Sequence, residues 1–513
     1  MRGRPQWPPF LLVQPDILLV EPVTFKPLLL SLPIFAGISF GASEARLADA
    51  AKKMDRAAIR GMIDQHLDVN APQVDGTTAL HWAAYQEDEE TVALLLRAGA
   101  NAKAANRYQV TPLSLACTSG NAKIISMLLK AGADPNTTLP GGETALMTAA
   151  RTGKAEAVGA LLRKDAHVNA KEGKFSQTAL MWAAAEGNTE VVEALLKAGA
   201  DLHASSTAGF TPLLFAVREG RIGAVKALLK AGADVNETVK SNARRAGGVT
   251  GPPVTGTSAL LLAVSNAHFE LASVLLDAGA EPNAAIPGWT ALHAVSWIRK
   301  PGLGDNDPSP IGSGNVTSLE IVRKLVAKGA NINFRMTKKV NVGLTALNTF
   351  GATPYLLAAR TADAELMKEL VKLGADPKIP NGDNATALIV VCGLGTRSPG
   401  EDAGTEAEVV EAAQVALDHG ADLNAVDNNG ETAMHAAAYK NLPLAAQFLI
   451  DKGAKMPVWN QKNSLGLTPL WIAEGYRTGN FKPSPETAAV IRKVMVAAGV
   501  SIALEAGVAN VVR

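Results

Sequence analysis

Histidine and cysteine are the residues of this chain that could act as bases, nucleophiles or metal ligands. Three of the eight histidines, His81, His293 and His435, recur at one place in a repeated phrase, and the others have no second ligand at a metal-binding spacing. The two cysteines, Cys117 and Cys392, lie in no CxxC motif and are predicted to fill apolar space. HExxH, CxxCH and P-loop motifs are also absent from the sequence. No catalytic residue, cofactor or metal ion is therefore predicted.

Composition and charge favour a helical array over a nucleic-acid-binding protein. The 513 residues are 47% hydrophobic but only 5% aromatic, and much of the apolar fraction is alanine, a small helix former that permits close helix packing. The 49 Lys and Arg residues balance 48 Asp and Glu residues, which leaves a formal net charge of +1. Because such a chain has no overall positive field to attract a phosphate backbone, nucleic acid is not the expected partner.

A repeated phrase built around a hydroxyl residue organises the chain from Gly76 onward. It reads GTTALHWAA at first and ETAMHAAA near the end, and its hydroxyl residue recurs at intervals of 33, 33, 34, 33, 47, 32, 63, 33, 46 and 36 residues. A period of this length indicates stacked supersecondary units rather than separate globular domains. Eleven units share the register, at Thr78, Thr111, Thr144, Thr178, Thr211, Ser258, Thr290, Thr353, Thr386, Thr432 and Thr468.

Each unit is predicted to contain two short helices. A hydroxyl residue such as Thr78 can cap free amides at the start of the first helix, and the spacing of Leu80 and Ala83 gives that helix one buried face. A second phrase of the type LLLRAGAN follows, and in most units its glycine comes 21 residues after the hydroxyl residue. Glycine is expected to end the second helix in the left-handed conformation, and His66 and Asp165 occupy this place in two units.

These phrases resemble the ankyrin repeat, whose unit reads G-x-T-P-L-H-x-A-A and then L-L-x-x-G-A-D-x-N. The resemblance extends over about nine tenths of the chain. It implies an all-α ankyrin-repeat solenoid of about 12 helix-turn-helix units joined by β-hairpin-like loops. In this interpretation a capping repeat occupies 46–74, the array occupies 75–499, and a C-terminal tail occupies 500–513.

Two further expectations come from matching the family's phrase to this sequence. The histidine of the first phrase, present as His81, His293 and His435, is implied to bond the backbone through its side chain. The family's turn glycine, two residues before the hydroxyl residue, is replaced by Gln109, Ser176 and Asn384 in three units. Irregular turns are expected in those units, since residues with a Cβ resist positive φ.

Departures from the period locate five insertions. Those at 238–256 and 335–351 fall between units, and those at 299–318, 393–407 and 475–485 fall between the two helices of one unit. The first group is basic and the second acidic, so oppositely charged edges are one interpretation and solvated loops with incidental charge are the other. The residues concerned are Lys240, Arg244, Arg245, Arg335, Lys338 and Lys339 on one side, and Asp305, Asp307, Glu401, Asp402, Glu406 and Glu408 on the other.

Residues 1–45 differ from the rest because they are rich in Pro, Leu, Phe and Val. The apolar run at 27–41 is shorter than the about 20 residues that span a bilayer, and it suits the apolar core of a signal peptide. With Lys26 before the run, cleavage is expected after Ala45, and the natural start is expected near Val23. Export to the periplasm or the medium is predicted; a retained N-terminal membrane anchor and a disordered cytosolic tail are the alternatives.

The ankyrin resemblance also implies where a partner would bind. In that family the two residues after the Ala-Ala pair of the first helix line a concave groove, and turn residues before the threonine form its tips. Tyr and Arg are enriched at interface hot spots, which favours the candidates of those types. The groove candidates are Tyr85, Gln86, Thr118, Arg151, Glu186, Arg218, Glu219, Arg360, Tyr439 and Lys440, and the tip candidates are Arg107, Tyr108, Phe175, Phe210, Trp289 and Phe350.

The function implied by the resemblance is a non-enzymatic scaffold for protein–protein interaction. Its partners are expected to be proteins, with no nucleic acid and no small-molecule substrate, and contact with a membrane only through an uncleaved N-terminal segment. A monomer is expected. The alternatives are an inhibitor or recruiting subunit of an enzyme, and a secreted effector that acts on another organism's proteins.

Overall fold

Helices form nearly all of the regular secondary structure. The computed structural model describes residues 45–240, 255–300, 310–340, 346–400, 402–476, 483–500 and 502. These residues contain 25 helices, of which 24 form 12 consecutive pairs. The described loops contain two isolated β-bridges, Thr138 with Thr144 and Thr238 with Ser258, and no named strand. The predicted signal segment, most of the 238–256 insertion and nearly all of the C-terminal tail lie outside the described residues.

The N-terminal half consists of six helix pairs, and the first pair occupies the predicted capping repeat. In each pair the two helices pack on each other and on their counterparts in the next unit. The helices are α1 (Arg46–Lys52), α2 (Arg56–Asp64), α3 (Ala79–Tyr85), α4 (Glu89–Arg97), α5 (Pro112–Ser119), α6 (Ala122–Lys130), α7 (Ala145–Thr152), α8 (Ala155–Leu162), α9 (Ala179–Glu186), α10 (Thr189–Lys197), α11 (Pro212–Arg218) and α12 (Ile222–Lys230).

The C-terminal half continues the same arrangement, with one additional short helix before the last pair. The fold is an all-α repeat solenoid, as predicted. Its helices are α13 (Ala259–Ser265), α14 (Phe269–Asp277), α15 (Ala291–Arg299), α16 (Ser318–Ala327), α17 (Pro354–Arg360), α18 (Ala364–Lys372), α19 (Ala387–Val391), α20 (Glu406–Asp418), α21 (Ala433–Lys440), α22 (Pro443–Asp451), α23 (Met456–Trp459), α24 (Pro469–Ala473) and α25 (Pro485–Ala497).

The hydroxyl residue begins the first helix of each repeat, as the sequence predicts. Thr111 Oγ1 accepts from the N–H of Ser114 at 3.1 Å, and the same bond recurs in most units. Where the third helical residue is histidine, its ring completes the cap: the N–H of Thr78 donates to His81 Nδ1 at 3.1 Å, and His81 Nε2 contacts the carbonyl of Val110 at 3.0 Å. His293 and His435 make equivalent bonds. The predicted structural role of the three histidines is confirmed.

Left-handed residues end the helices and form the turns between units. Gly99 has φ of +89°, and His66 and Asp165 adopt φ of +59° and +60° at the equivalent place, as predicted. The expectation of irregular turns at Gln109, Ser176 and Asn384 is wrong. These residues have φ of +60°, +55° and +61°, so they take up the same left-handed conformation as the glycines they replace.

We expect Gly99→Ala to destabilise the protein by about 1 kcal/mol, because alanine must adopt the strained left-handed conformation. A Cβ at Gly99 would meet no atom within 4 Å, so the change tests backbone conformation without a clash. The matched reverse change, Asp165→Gly, removes the same strain and is expected to be neutral or stabilising. Thermal unfolding followed by circular dichroism measures both, and an unchanged melting midpoint for Gly99→Ala would refute the assignment.

In several units an asparagine side chain just after the second helix bonds to the next unit. Asn169 Nδ2 donates to the carbonyl of Gly199 at 3.1 Å, and Asn169 Oδ1 accepts from the N–H of Asp201 at 2.7 Å. Asn70 and Asn283 make the same two bonds. The asparagine at this position of the repeat therefore satisfies two backbone groups of the following unit.

Replacing Asn169 with alanine is expected to cost about 1–2 kcal/mol, since two hydrogen bonds between units are lost. Lys103 occupies the equivalent position in another unit, 29 residues before Gly132. Lys103→Asn is therefore expected to stabilise the protein by up to about 1 kcal/mol through the same pair of bonds. Chemical denaturation measures the stability of both variants. Equal midpoints for Asn169→Ala and the parent would contradict the stabilising role of these bonds.

Candidate protein-binding surface

The predicted groove residues lie at the ends of the first helices. Tyr85, Arg218 and Arg360 are the last residues of α3, α11 and α17, and each follows its capping threonine by seven residues. Because every first helix begins at a capped hydroxyl residue and shares the register, these positions repeat from unit to unit. The helix cap therefore determines which residue occupies each predicted groove position.

Twelve of the 16 predicted contact residues have accessible side chains. Tyr85 is 41% exposed, Tyr108 is 52% exposed and Phe350 is 51% exposed, which is unusual for aromatic residues. The other accessible candidates are Gln86, Arg107, Thr118, Arg151, Phe175, Glu186, Arg218, Glu219 and Tyr439.

Two of the predicted tip residues are buried and cannot contact a partner. Trp289 is 1% exposed and packs edge-on against Trp297, with ring centroids 6.3 Å apart. Phe210 is 7% exposed and lies 5.6 Å from Phe215, centroid to centroid. These two rings fill the space between a turn and the first helix that follows it, so their assignment as contact residues is wrong.

Two of the predicted groove residues, Arg360 and Lys440, are covered by the insertion at 393–407. Arg360 is 6% exposed and its Nη2 donates to Asp402 Oδ1 at 3.2 Å. Lys440 is 5% exposed and its Nζ donates to the carbonyl of Ala403 at 2.6 Å. Burial lowers the pKa of Lys440. The insertion replaces solvent over both side chains, so in this structure neither is available to a partner.

The acidic residues of the described insertions are paired inside the chain. Glu408 bonds the N–H of Thr405 as part of a capping box, and its Oε1 accepts from Lys300 Nζ at 2.7 Å. These bonds lower the pKa of Glu408 to about 2. Of the basic residues, Arg335 Nη2 and Lys338 Nζ donate to backbone carbonyls of neighbouring turns. These charged side chains therefore hold neighbouring loops together. Five more of the predicted charged residues lie outside the described residues: Arg244, Arg245, Asp305, Asp307 and Glu401.

Cationic side chains cover aromatic rings along the N-terminal half. Arg151 Cζ lies 5.2 Å from the ring centroid of Trp182, and Lys52 Nζ lies 4.9 Å from that of Trp82. At the tips, Arg107 Cζ lies 5.2 Å from the Tyr108 centroid. Such contacts hold long side chains in place while leaving them accessible. Trp82 and Trp182 are partly buried packing residues, as predicted.

Successive tips are joined by single backbone hydrogen bonds. The N–H of Arg107 donates to the carbonyl of Asp75 at 2.9 Å, and the N–H of Thr207 donates to that of Phe175 at 2.9 Å. The N–H of Gly382 donates to the carbonyl of Phe350 at 2.7 Å in the C-terminal half. Each of these bonds joins one tip to the next tip along the chain.

A serine–histidine pair is an arrangement of chemical interest that sequence reasoning missed. His268 Nε2 contacts the carbonyl of Arg218 at 3.1 Å, and Ser313 Oγ contacts His268 Nδ1 at 2.9 Å. Because a carbonyl only accepts, Nε2 carries the proton and Nδ1 accepts from Ser313. Burial lowers the pKa of His268, which favours this neutral form. The pair fastens the insertion at 299–318 to two neighbouring units.

The described residues offer neither a metal site nor a membrane span. The described ranges contain no group of three or more His, Cys, Asp or Glu side chains placed to hold a metal ion. No helix in the part of the chain that the structure describes has the length and apolar composition to cross a bilayer. Cys117 and Cys392 are fully buried and unoxidised, and burial raises the pKa of Cys392 to about 12. Both cysteines pack as predicted.

A buried carboxyl group lies beside Tyr439. Glu431 is 6% exposed, and its Oε1 accepts from Asn463 Nδ2 at 2.8 Å and from the Tyr439 hydroxyl at 3.2 Å. Glu431 Oε2 is buried without a hydrogen-bond partner in the described structure. Burial raises the pKa of Glu431 to about 7, helped by the nearby charge of Asp427 and opposed by the two hydrogen bonds.

Glu431→Gln is expected to stabilise the protein by about 2 kcal/mol at pH 8 and to have little effect at pH 4.5. A carboxyl group whose pKa is raised by folding contributes full stability below its unfolded pKa, and this stability is lost as the pH rises through the folded value. Glutamine keeps the Oε1 bonds and removes the buried charge. Melting midpoints of variant and parent from pH 4.5 to 8 test this, and a constant difference over that range would contradict it.

Comparison with known protein families matches the repeats of this chain. A family model described as "Ankyrin repeats (3 copies)" matches residues 47–139 and 146–239. Models described as "Ankyrin repeats (many copies)" and "Ankyrin repeat" match 406–450 and 255–285, and together the matches cover just over half of the chain. The chain belongs to the ankyrin-repeat family. Ankyrin repeats are in general protein–protein interaction modules, and they are typically non-enzymatic.

Relatives of this ankyrin-repeat chain match parts of it. Neurogenic locus notch homolog protein 1 of Xenopus tropicalis is 38% identical over 80 residues, 14% of this chain and 3% of that protein. A putative ankyrin repeat protein of fowlpox virus (strain NVSL) is 32% identical over 157 residues, 30% of this chain and 40% of that protein. The chain thus spans less than half the length of either relative. The crystal structure of the human ASB11 ankyrin repeat domain matches 46% of this chain and 98% of its own, at 24% identity and a TM-score of 0.39.

Proposed function

We propose that this ankyrin-repeat chain is a non-enzymatic scaffold that binds partner proteins through the N-terminal half of its array. The surface concerned, the N-terminal binding face, consists of Tyr85, Arg107, Tyr108, Arg151 and Phe175. The observation that carries the proposal is the accessibility of these aromatic and cationic side chains in a chain that is only 5% aromatic. Large accessible rings and arginines are the residue types that dominate binding energy in protein interfaces.

The arrangement of the N-terminal binding face lowers the cost of binding. Arg107 and Arg151 already lie over aromatic rings, so a partner would immobilise less side-chain freedom on contact. In the C-terminal half the insertion covers Arg360 and Lys440, and Phe350 and Tyr439 are the accessible candidates that remain there. The accessible candidates are therefore concentrated in the N-terminal half.

Crosslinked capture from the envelope extract of the producing cell tests this function. The full chain is compared with a variant in which Tyr85, Tyr108 and Arg151 are changed to alanine. The matched control changes Lys123, Glu193 and Lys226, which are exposed on second helices, to alanine. A partner retained by the parent and the control but lost by the binding-face variant supports the proposal, and equal retention by all three contradicts it. The captured protein's own activity distinguishes a passive scaffold from an enzyme inhibitor, a recruiting subunit or an effector.

We also propose that the protein is exported, on the basis of the apolar run at 27–41 and Lys26 before it. The proposal rests on sequence alone, because residues 1–44 lie outside the described structure. N-terminal sequencing of the protein recovered from cell fractions tests it. A periplasmic or secreted product that begins near residue 46 is expected, and an intact N-terminus in the cytosolic fraction would contradict export.

A further inference from the structure

Three first helices carry an arginine at the same position of the repeat. Arg151, Arg218 and Arg360 each follow the capping threonine of their unit by seven residues. Because the units share one register, the three guanidinium groups begin from equivalent places on the backbone. The groups that each arginine meets can therefore be compared directly, and they differ.

At Arg360 the chain supplies its own acidic segment. Arg360 Nη2 donates to Asp402 Oδ1 at 3.2 Å, and Thr396 Oγ1 donates to Asp402 Oδ2 at 2.8 Å. The next residue continues across the surface, since the carbonyl of Ala403 accepts from Lys440 Nζ. Gly404 then packs so closely that a Cβ there would lie 2.7 Å from the Cβ of Ala362. A carboxylate followed by two small residues is thus what this arginine position binds within the protein.

At Arg218 a neighbouring residue supplies the carboxylate. Arg218 Nε donates to Glu219 Oε1 at 2.8 Å, and the guanidinium lies 5.0 Å from the ring centroid of Phe215. The arginine is only 21% exposed at its side chain. This position is therefore already paired and offers a partner little unsatisfied charge.

At Arg151 the position is unpaired. Its guanidinium lies over Trp182, and no carboxylate in the described ranges lies within ion-pair distance of it. Trp182 Nε1 is buried and has no hydrogen-bond acceptor among the described residues. The Glu172 carboxylate, in the turn before the next unit, accepts from the N–H groups of Lys174, Phe175 and Gln177. Arg151 is half-buried rather than covered, so a segment from another protein can reach it.

We infer that Arg151, over Trp182, is a docking site for an acidic segment of a partner protein, bound as Asp402 is bound by Arg360. The segment presents an Asp or Glu carboxylate to the guanidinium, as Asp402 does at Arg360. The inference rests on the proposed protein-binding function and specifies the chemistry of the partner. Charge complementarity favours an anionic group, and the internal example of Asp402 on Arg360 favours a carboxylate over a phosphate.

The probe for this site is taken from the protein itself. A fluorescent peptide with the sequence of residues 394–404, LGTRSPGEDAG, is titrated into the full chain and binding is followed by anisotropy. A second peptide has both carboxylates replaced by amides. We expect the acidic peptide to bind about tenfold more tightly than the amide peptide, and to lose affinity when NaCl rises from about 50 to 300 mM.

Arg151→Glu is the decisive variant, and Lys123→Glu is its control because it makes the same change in net charge at an exposed site on a second helix. Arg151→Glu is expected to weaken the acidic peptide about tenfold or more, and Lys123→Glu to weaken it less than about twofold. Equal effects of the two variants, equal binding of the two peptides, or no binding up to about 1 mM peptide would each overturn the inference. If a single-stranded oligonucleotide bound at Arg151 more tightly than the acidic peptide and displaced it, the choice of a protein carboxylate would be overturned.

The two proposals fail in different ways. If capture of the partner depends on Tyr85 and Tyr108 but the affinity for the acidic peptide does not depend on Arg151, the protein-binding function is supported and the acidic-segment inference is refuted. If no partner depends on the N-terminal binding face while the peptide still binds through Arg151, the docking chemistry stands without the scaffold function. Circular dichroism of each variant establishes that the fold is intact in both experiments.

Discussion

Arg299→Ala is expected to lower the free energy of unfolding by about 3–5 kcal/mol, because it leaves a buried carboxylate without its cation. Arg299 Nε and Nη2 donate to the two carboxylate oxygens of Asp363, at 2.6 Å and 3.2 Å. The side chains of Arg299 and Asp363 are 14% and 1% exposed. Asp363 also caps α18 by accepting from the N–H of Leu366, so the carboxylate cannot move to water without loss of the cap.

The control for Arg299→Ala is Glu365→Ala. Glu365 accepts from the same guanidinium at 2.7 Å, but its side chain is 70% exposed. An exposed ion pair of this kind contributes about 0–1 kcal/mol, so Glu365→Ala should change the free energy of unfolding very little. Urea denaturation of both variants at neutral pH gives the comparison. Similar losses for the two variants would show that burial of Asp363 is not the source of the effect.

Acidification from pH 7 to pH 4 is expected to destabilise the protein by several kcal/mol through its buried histidines. Burial lowers the pKa of His293 and of His435 from 6.5 to about 4, although bonds to backbone carbonyls act in the opposite direction. A base whose pKa is lowered by folding contributes full stability above its unfolded pKa, and this stability is lost as the pH falls toward the folded value. Each of the two groups contributes up to about 3 kcal/mol to the loss.

His435→Gln separates this effect from general acid denaturation. The variant loses the ring bonds to Thr432 and Gln461, so it is less stable than the parent at pH 7.5. Because glutamine does not titrate, the difference between parent and variant should narrow by about 2–3 kcal/mol on acidification to pH 4.5. His167→Gln, at an exposed position, is the matched control substitution. Parallel stability curves for His435→Gln and the parent would contradict the assignment.

The repeat was predictable from the sequence because its signals are local. Thr111 caps its helix within three residues, and Gly99 ends a helix through its own backbone angle, so both can be recognised in a short window. The bonds of Asn169 to the next unit were not foreseen, although the phrase that contains it repeats. Matching each polar repeat residue to the backbone groups one unit later would have revealed them.

The accessible surface was only partly predictable, because accessibility depends on long-range packing. Arg151 and Arg360 occupy the same repeat position, yet one is accessible and the other is covered by Asp402, 42 residues away. Trp289 lies one residue before Thr290 and is buried against Trp297, whereas Phe350 lies three residues before Thr353 and is exposed, so their different repeat positions could have separated them. No local pattern distinguishes Arg151 from Arg360, because the outcome there depends on where an insertion lies.

The ion pair between Lys300 and Glu408 has a consequence for the order in which the array unfolds. Most contacts in a repeat array join neighbours, so the ends can fray while the centre stays intact. Lys300 Nζ bonds both the carbonyl of Ala362 and, 108 residues along the chain, the carboxylate of Glu408. This link passes over the unit that contains α17 and α18 and ties its two neighbours together. The middle of the C-terminal half should therefore open as one block in native-state hydrogen exchange, whereas the N-terminal units open one after another.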